Sequence, residues 1–222
     1  MVDFALQRKN MVESQIRPSD ITDRRIIRAM LDVPREAFCP PAVQATAYRD
    51  EMLAINSGNG GRARYAPAPR ALAQMIQALE LDDSSSVLEI GTGTGYGAAI
   101  LSRIAVRVIA VESDAELATS ARTTLASNGA ANVAVVESDL AAGHATGAPY
   151  DAILINGAVQ QIPRAVLDQL KDGGRLVTVV ADGQFGHLTV WRRIGGTFDS
   201  RVVSDAAAPV LNEFQKAVEF VF

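Results

Sequence analysis

Apolar positions recur at two spacings along this chain, and the spacing changes near residue 83. Before that point the repeat is helical. Phe4, Met11, Val12 and Ile16 stand among polar residues over 3–17 and approximate one face of a helix ended by Pro18. Ile26, Ile27, Met30 and Leu31 make an i, i+1, i+4, i+5 stripe that Asp20 or Thr22 can cap and Pro34 stops. Leu72, Met75, Ile76 and Leu79 mark one side of a third helix over 71–81. Between these helices residues 38–69 have no period and carry Pro40, Pro41, Gly58, Gly60, Gly61, Pro67 and Pro69. A loop of that length in a compact protein is either mobile or functional.

After residue 83 short apolar runs alternate with amphipathic ones. Strands are predicted over 87–90, 106–111, 133–136, 150–155 and 176–180. Helices are predicted from Ala98, over 114–127, and over 162–170 with Asp172-Gly-Gly174 as the stop. This rhythm predicts a parallel sheet covered on both faces. Beyond 182 the pattern becomes strand, turn, strand, and 186–194 is expected to pair with 214–222 as an antiparallel hairpin at the sheet edge. The expected architecture is α/β: one domain with a mostly parallel seven-stranded sheet over 83–222 and an N-terminal helical cap over 1–82.

Composition narrows the picture. At 222 residues the chain can bury a sizeable core. A net charge of -4 and a pI near 5.2 give no general attraction to nucleic acid or to an anionic membrane. No run approaches the roughly 18 apolar residues of a membrane span, and the N-terminus lacks an apolar leader, so a cytoplasmic location is expected. Cys39 is the single cysteine, which excludes an intramolecular disulfide and a cysteine-rich metal cluster; it reads as a small buried hydrophobe. His144 and His187 are isolated, and no metal site is expected. Arg17, Arg24, Arg25, Arg28 and Arg35 read as a solvated face.

The chemistry concentrates at Val87-Leu-Glu-Ile-Gly-Thr-Gly-Thr-Gly-Tyr-Gly97, where an apolar strand breaks into alternate glycines and resumes as a helix. Glycines there allow positive φ and a close approach to a ligand, and a strand-to-helix turn offers backbone N–H groups to it. The dinucleotide fingerprint Gly-x-Gly-x-x-Gly would need its third glycine at 96, which is Tyr96, and this weakens a nicotinamide-dependent dehydrogenase. Two carboxylates also fall at predicted strand ends, where open parallel sheets gather ligands. Glu112 lies 19 residues after Gly93 and can accept both hydroxyls of a ribose; the plainer alternative is a surface salt bridge. Asp139 can accept from an adenine amine or cap the following helix. Glu89, on a strand that should be buried, is expected to receive hydrogen bonds from the loop or to reach a ligand's amino group.

Glu89-Ile-Gly-Thr-Gly-Thr-Gly-Tyr96, Val111-Glu-Ser113 and Leu170-Lys-Asp-Gly-Gly-Arg-Leu176 together resemble the S-adenosylmethionine-dependent methyltransferases. More narrowly the chain resembles the protein-L-isoaspartate O-methyltransferase family. Met11-Val-Glu-Ser-Gln-Ile16, Ile26-Ile-Arg-Ala-Met30, Val33-Pro-Arg-Glu-Ala-Phe38, Ala47-Tyr-Arg-Asp50, and Tyr150-Asp-Ala-Ile-Leu-Ile155 with Ile162-Pro163 carry the likeness over roughly residues 10–180. The resemblance implies a Rossmann-like class I methyltransferase fold and S-adenosylmethionine as cofactor. It places Glu89, Gly91, Thr92, Gly93 and Gly95 around the methionine part, Glu112 on the ribose, and Asp139 with Leu140 near adenine. The implied reaction is attack of a protein or peptide carboxylate on the sulfonium methyl, as in repair of damaged proteins. Such a nucleophile is already ionised at neutral pH and needs alignment more than a base.

The departure lies in the loop. The family usually follows Ile-Gly-x-Gly with Gln-Thr-Ile-Ser-x-Pro and sets a hydroxyl at the acceptor site. Here Ile55-Asn-Ser-Gly-Asn59 is followed by Gly60-Gly-Arg-Ala-Arg-Tyr-Ala-Pro-Ala-Pro69, so with Pro69 aligned the serine position holds Pro67. Ser57, Asn59 and Tyr65 are the candidates for a catalytic part, and Tyr65, Arg62 or Arg64 for binding an acceptor carboxylate, arginine through its planar guanidinium; a solvated loop is the plainer alternative. A protein that binds S-adenosylmethionine in a regulatory role without catalysing transfer is the alternative reading.

Overall fold

The helical stripes form helices, and the later apolar runs assemble into one sheet. The computed structural model describes residues 2–56, 63–183 and 185–216. Helix α1 (Phe4–Met11) continues through a π-helical turn, Val12–Ile16, into a 3-10 turn containing Pro18. Helix α2 (Arg24–Asp32) buries Ile26, Ile27, Ala29 and Met30. Its cap is Asp23, one residue beyond Thr22, because Gln77 Oε1 accepts from both the Thr22 and Asp23 amides and fixes where the helix begins. The short strands β1 (Leu53–Ala54) and β2 (Tyr65–Ala66) pair antiparallel within the long loop, which brings residues 53–54 and 65–66 together. Helix α3 (Pro69–Ala78) starts on its proline, where a missing N–H is harmless.

The sheet is then laid down by β3 (Ser86–Ile90), α4 (Tyr96–Leu101), β4 (Arg107–Glu112), α5 (Ala115–Ser127), β5 (Val133–Glu137), β6 (Tyr150–Val159), α6 (Arg164–Leu167), β7 (Leu170–Asp182), β8 (Phe185–Ile194) and β9 (Thr197–Asp205). Strand order is β5-β4-β3-β6-β7-β8-β9; the first five pair parallel, and β8 and β9 are added by antiparallel pairings, so β8 alone runs against the rest. The winding reverses between β3 and β6, so the glycine loop after β3 stands at the switch point.

Two expectations are corrected. Strand β8 pairs with β7 on one side and with 197–205 on the other. Gly195 and Gly196 both adopt positive φ and turn the chain at once, and β9 is wet on both faces, so no apolar alternation marks it. Phe214 instead lies wholly buried in a 3-10 turn, and 217–222 lie outside the described residues. The helix expected over 162–170 covers only Arg164–Leu167, and Leu170 already pairs with Tyr150, so Asp172-Gly-Gly174 is an irregularity within β7 and not a helix stop.

The core has two faces. One buried cluster joins Met11, Ile26 and Met30 to Val87, Ala98, Leu154 and Val177; the other gathers Leu88, Ile90, Ile153 and Phe214. Strand alternation therefore puts Glu89 on the Val87 face, under α4. Among the described residues no helix is long and apolar enough to cross a membrane.

Candidate functional site

Gly91, Gly93 and Gly95 adopt φ of +78, +59 and +94, which side chains rarely tolerate. The Gly91 and Thr92 amides both donate to the Val111 carbonyl at 2.9 and 3.1 Å, which ties the loop to the end of β4. Gly97 serves a different purpose. A Cβ there would lie 2.0 Å from Glu89 Oε1, so the bare backbone is what admits the carboxylate beneath the first turn of α4.

Glu89 is wholly buried and accepts from Thr92 Oγ1 at 2.5 Å, Asn156 Nδ2 at 2.9 Å and the Ala98 amide. Burial pushes its pKa up to about 7; the Glu112 charge adds to the rise, and the hydrogen bonds oppose it. Asn156 Oδ1 is buried beside it with no partner among the described residues. Glu112 is likewise wholly buried. Its Oε2 accepts from the Gly93 amide at 2.7 Å and from Arg64 Nη2 at 3.1 Å, and its Oε1 accepts from the Ser113 and Asp114 amides at 2.9 and 3.2 Å. Glu112 pairs in register with Glu137, so Asp139, two residues further, stands at the adjoining strand end. Asp139 is exposed and accepts from the Ala141 amide, capping the 3-10 turn in which Leu140 is wholly buried.

The loop places its candidates apart. Tyr65 is 44% exposed, and Ser57, Asn59 and Arg62 lie outside the described residues. Arg64 comes instead to Glu112, with Nη1 3.7 Å from Glu213. The expectation for Arg35 is corrected, while Arg17, Arg24, Arg25 and Arg28 are exposed. Arg35 is 1% exposed, donates to the Ala47 and Pro67 carbonyls at 2.8 Å each, and lies 4.7 Å from the centre of the Tyr96 ring. It stands in a 3-10 turn after Pro34 where no period distinguishes inward from outward positions. Sequence reasoning also missed Asn156, although a polar residue just past an all-apolar run was a usable signal.

Next to this site an open groove of about 610 Å3 runs between residues 37–43 and the first turns of α5, reaching Ile55, Asn56 and Thr94. His144 bonds the Tyr150 hydroxyl and His187 faces Asp205, both away from the loop. Cys39 is partly buried, its thiol pushed up by burial. Among the described residues no group of His, Cys, Asp and Glu could hold a metal ion.

Comparison with known proteins gives one answer. The sequence model of the family Protein-L-isoaspartate(D-aspartate) O-methyltransferase (PCMT) matches residues 6–208. A protein-L-isoaspartate O-methyltransferase of Herpetosiphon aurantiacus is 38% identical over 199 residues, 90% of this chain and 87% of that one. One from Geobacter metallireducens is 42% identical over 189 residues, 85% of each. Among solved structures, a protein-L-isoaspartate O-methyltransferase superposes with a TM-score of 0.81 at 24% identity, covering 94% of this chain and 67% of that one. A Plasmodium falciparum beta-aspartate methyltransferase in complex with S-adenosyl-L-homocysteine gives 0.76 at 17% identity, covering 96% and 100%. At those identities the two structures speak to the fold.

Proposed function

Since the chain belongs to the protein-L-isoaspartate(D-aspartate) O-methyltransferase family, we propose that its glycine loop and its two buried carboxylates hold S-adenosylmethionine. The protein is an S-adenosylmethionine-dependent O-methyltransferase, and relatives matched over most of their length do not favour a non-catalytic role. When bound, the cofactor supplies a methyl group activated on a sulfonium. The residues present fit such a group. Gly91 and Gly93 hold positive φ in the loop, the buried Asn156 Oδ1 has no partner among the described residues, and Glu89 lies within 2.9 Å of the same side chain. The observation that carries the reading is Glu112, a carboxylate wholly buried at the end of β4, at the switch point of the sheet and bound by the Gly93 amide of the glycine loop. Glu112 takes the ribose, Asp139 and Leu140 border adenine, and Glu89 with Asn156 faces the methionine ammonium.

The acceptor is a protein or peptide carboxylate, which reaches the loop along the 610 Å3 groove. Pro67 has no side-chain donor where the family has serine, so alignment falls to the backbone, whose carbonyl at 67 is held by Arg35. A cytoplasmic setting belongs to the same reading and accords with a lone cysteine.

The test is methyl transfer from labelled S-adenosylmethionine to an isoaspartyl peptide and to its aspartyl counterpart. Transfer confined to the isoaspartyl peptide is expected. Transfer to neither, with S-adenosylhomocysteine still bound, would overturn the acceptor, and binding of NAD alone would overturn the cofactor.

A further inference from the structure

The carboxylate assigned to the ribose is already fully used. An ionised carboxylate offers about four lone-pair directions, and Glu112 fills four with the amides of Gly93, Ser113 and Asp114 and the guanidinium of Arg64. A ribose hydroxyl can bind only if one donor leaves. The three amides belong to the glycine loop and to the start of α5, so moving any of them would undo the turn that forms the site. Arg64 is different. It reaches Glu112 across 48 positions of sequence on a long side chain, and it covers a carboxylate that is otherwise sealed. Its Nη2 also lies 3.5 Å from where a Cβ on Gly91 would stand, beside the Leu211 methyls at 3.1 and 3.4 Å, so the guanidinium borders the glycine loop itself.

A second station for the guanidinium is present. Glu213 Oε1 is 3.7 Å from Arg64 Nη1 and accepts from Ser113 Oγ at 2.9 Å. The segment that carries it is anchored by the Ala158 amide on the Pro209 carbonyl and the Leu211 amide on the Ala158 carbonyl. A cation that leaves Glu112 for Glu213 remains paired, which avoids stranding a charge in a nearly closed site.

We propose that Arg64 competes with the cofactor's ribose diol for Glu112 and is displaced onto Glu213 on binding, so that this arginine sets cofactor affinity. The proposal rests on the reading of Glu112 as the ribose partner. It also gives the altered loop a task on the cofactor side of the site, since Arg64 stands where the family's pattern has glutamine.

Calorimetric titration with S-adenosylhomocysteine tests it. Arg64→Gln should tighten binding about fivefold or more, Glu213→Gln should weaken it by a similar factor, and the double variant should match Arg64→Gln. The gain from Arg64→Gln should vanish for an analogue lacking both ribose hydroxyls. Weaker or unchanged binding in Arg64→Gln overturns the competition. Should that variant fail to fold, unchanged affinity in Glu213→Gln overturns it. Glu112→Ala separates the two levels: unchanged affinity there removes the ribose reading itself, whereas weakened binding there with no gain in Arg64→Gln removes only the competition.

Discussion

At the scale of single residues, two buried carboxylates govern the site, and one of them ties it to pH. Glu89 is pushed up to about 7 from 4.5 by burial. Below pH 4.5 the folded and unfolded chains both hold the proton. Between 4.5 and 7 the unfolded chain releases it while the folded one keeps it, so stability falls as pH rises and levels off above 7. The whole loss is about 3 kcal/mol. Urea unfolding from pH 4.5 to about 8 should show this loss in the parent relative to Glu89→Gln, which cannot titrate; parallel curves would refute it. Glu112→Ala should weaken S-adenosylhomocysteine binding by roughly 1–3 kcal/mol, through the lost acceptor for the ribose hydroxyls and for the Gly93, Ser113 and Asp114 amides, measured by titration calorimetry. Both carboxylates were legible in the sequence because a charge at the end of an apolar strand is conspicuous. Arg35 was not, because burial of an arginine depends on carbonyls 12 and 32 positions away, which no local pattern records.

At the scale of elements, the strand-loop-helix around Gly91 was readable because glycine spacing encodes backbone conformation directly. Edge strand β9 was not, since wet faces leave no alternation, and neither was the early start of β7, whose entry is irregular. The contrast between glycines that permit a φ and a glycine that permits a contact can be measured. Gly97→Ala sets a Cβ 2.0 Å from Glu89 Oε1 on a buried helix, with the carboxylate held from three sides, and should destabilise by about 1–3 kcal/mol while abolishing tight S-adenosylhomocysteine binding. Gly173→Ala has φ +81 and nothing among the described residues within 4 Å, so backbone strain of about 1–2 kcal/mol is its expected effect, and binding should persist. Equal binding by the two variants would show that the space at Gly97 has no bearing on the site.

At the scale of the molecule, the cap and the sheet meet around one side chain. Arg35 leaves the cap, binds the carbonyl of Ala47 within it and that of Pro67 in the loop, and stacks on Tyr96 at the start of α4. Among the described residues no carboxylate pairs with it, so its charge is held by carbonyls and a ring face alone. The same buried cluster runs from Met11 and Met30 through Leu72 to Val87 and Leu154. A cap sharing that core has no independent interior, which is why residues 1–82 and 83–222 are proposed to form a single domain. Arg35→Met should therefore lower the stability of the whole protein by about 2–4 kcal/mol, through two buried carbonyls left without donors. Scanning calorimetry should still record one transition, with van't Hoff and calorimetric enthalpies equal. A separate early transition in that variant would mean that the cap unfolds on its own, and the joint at Arg35 would then be a contact between two domains.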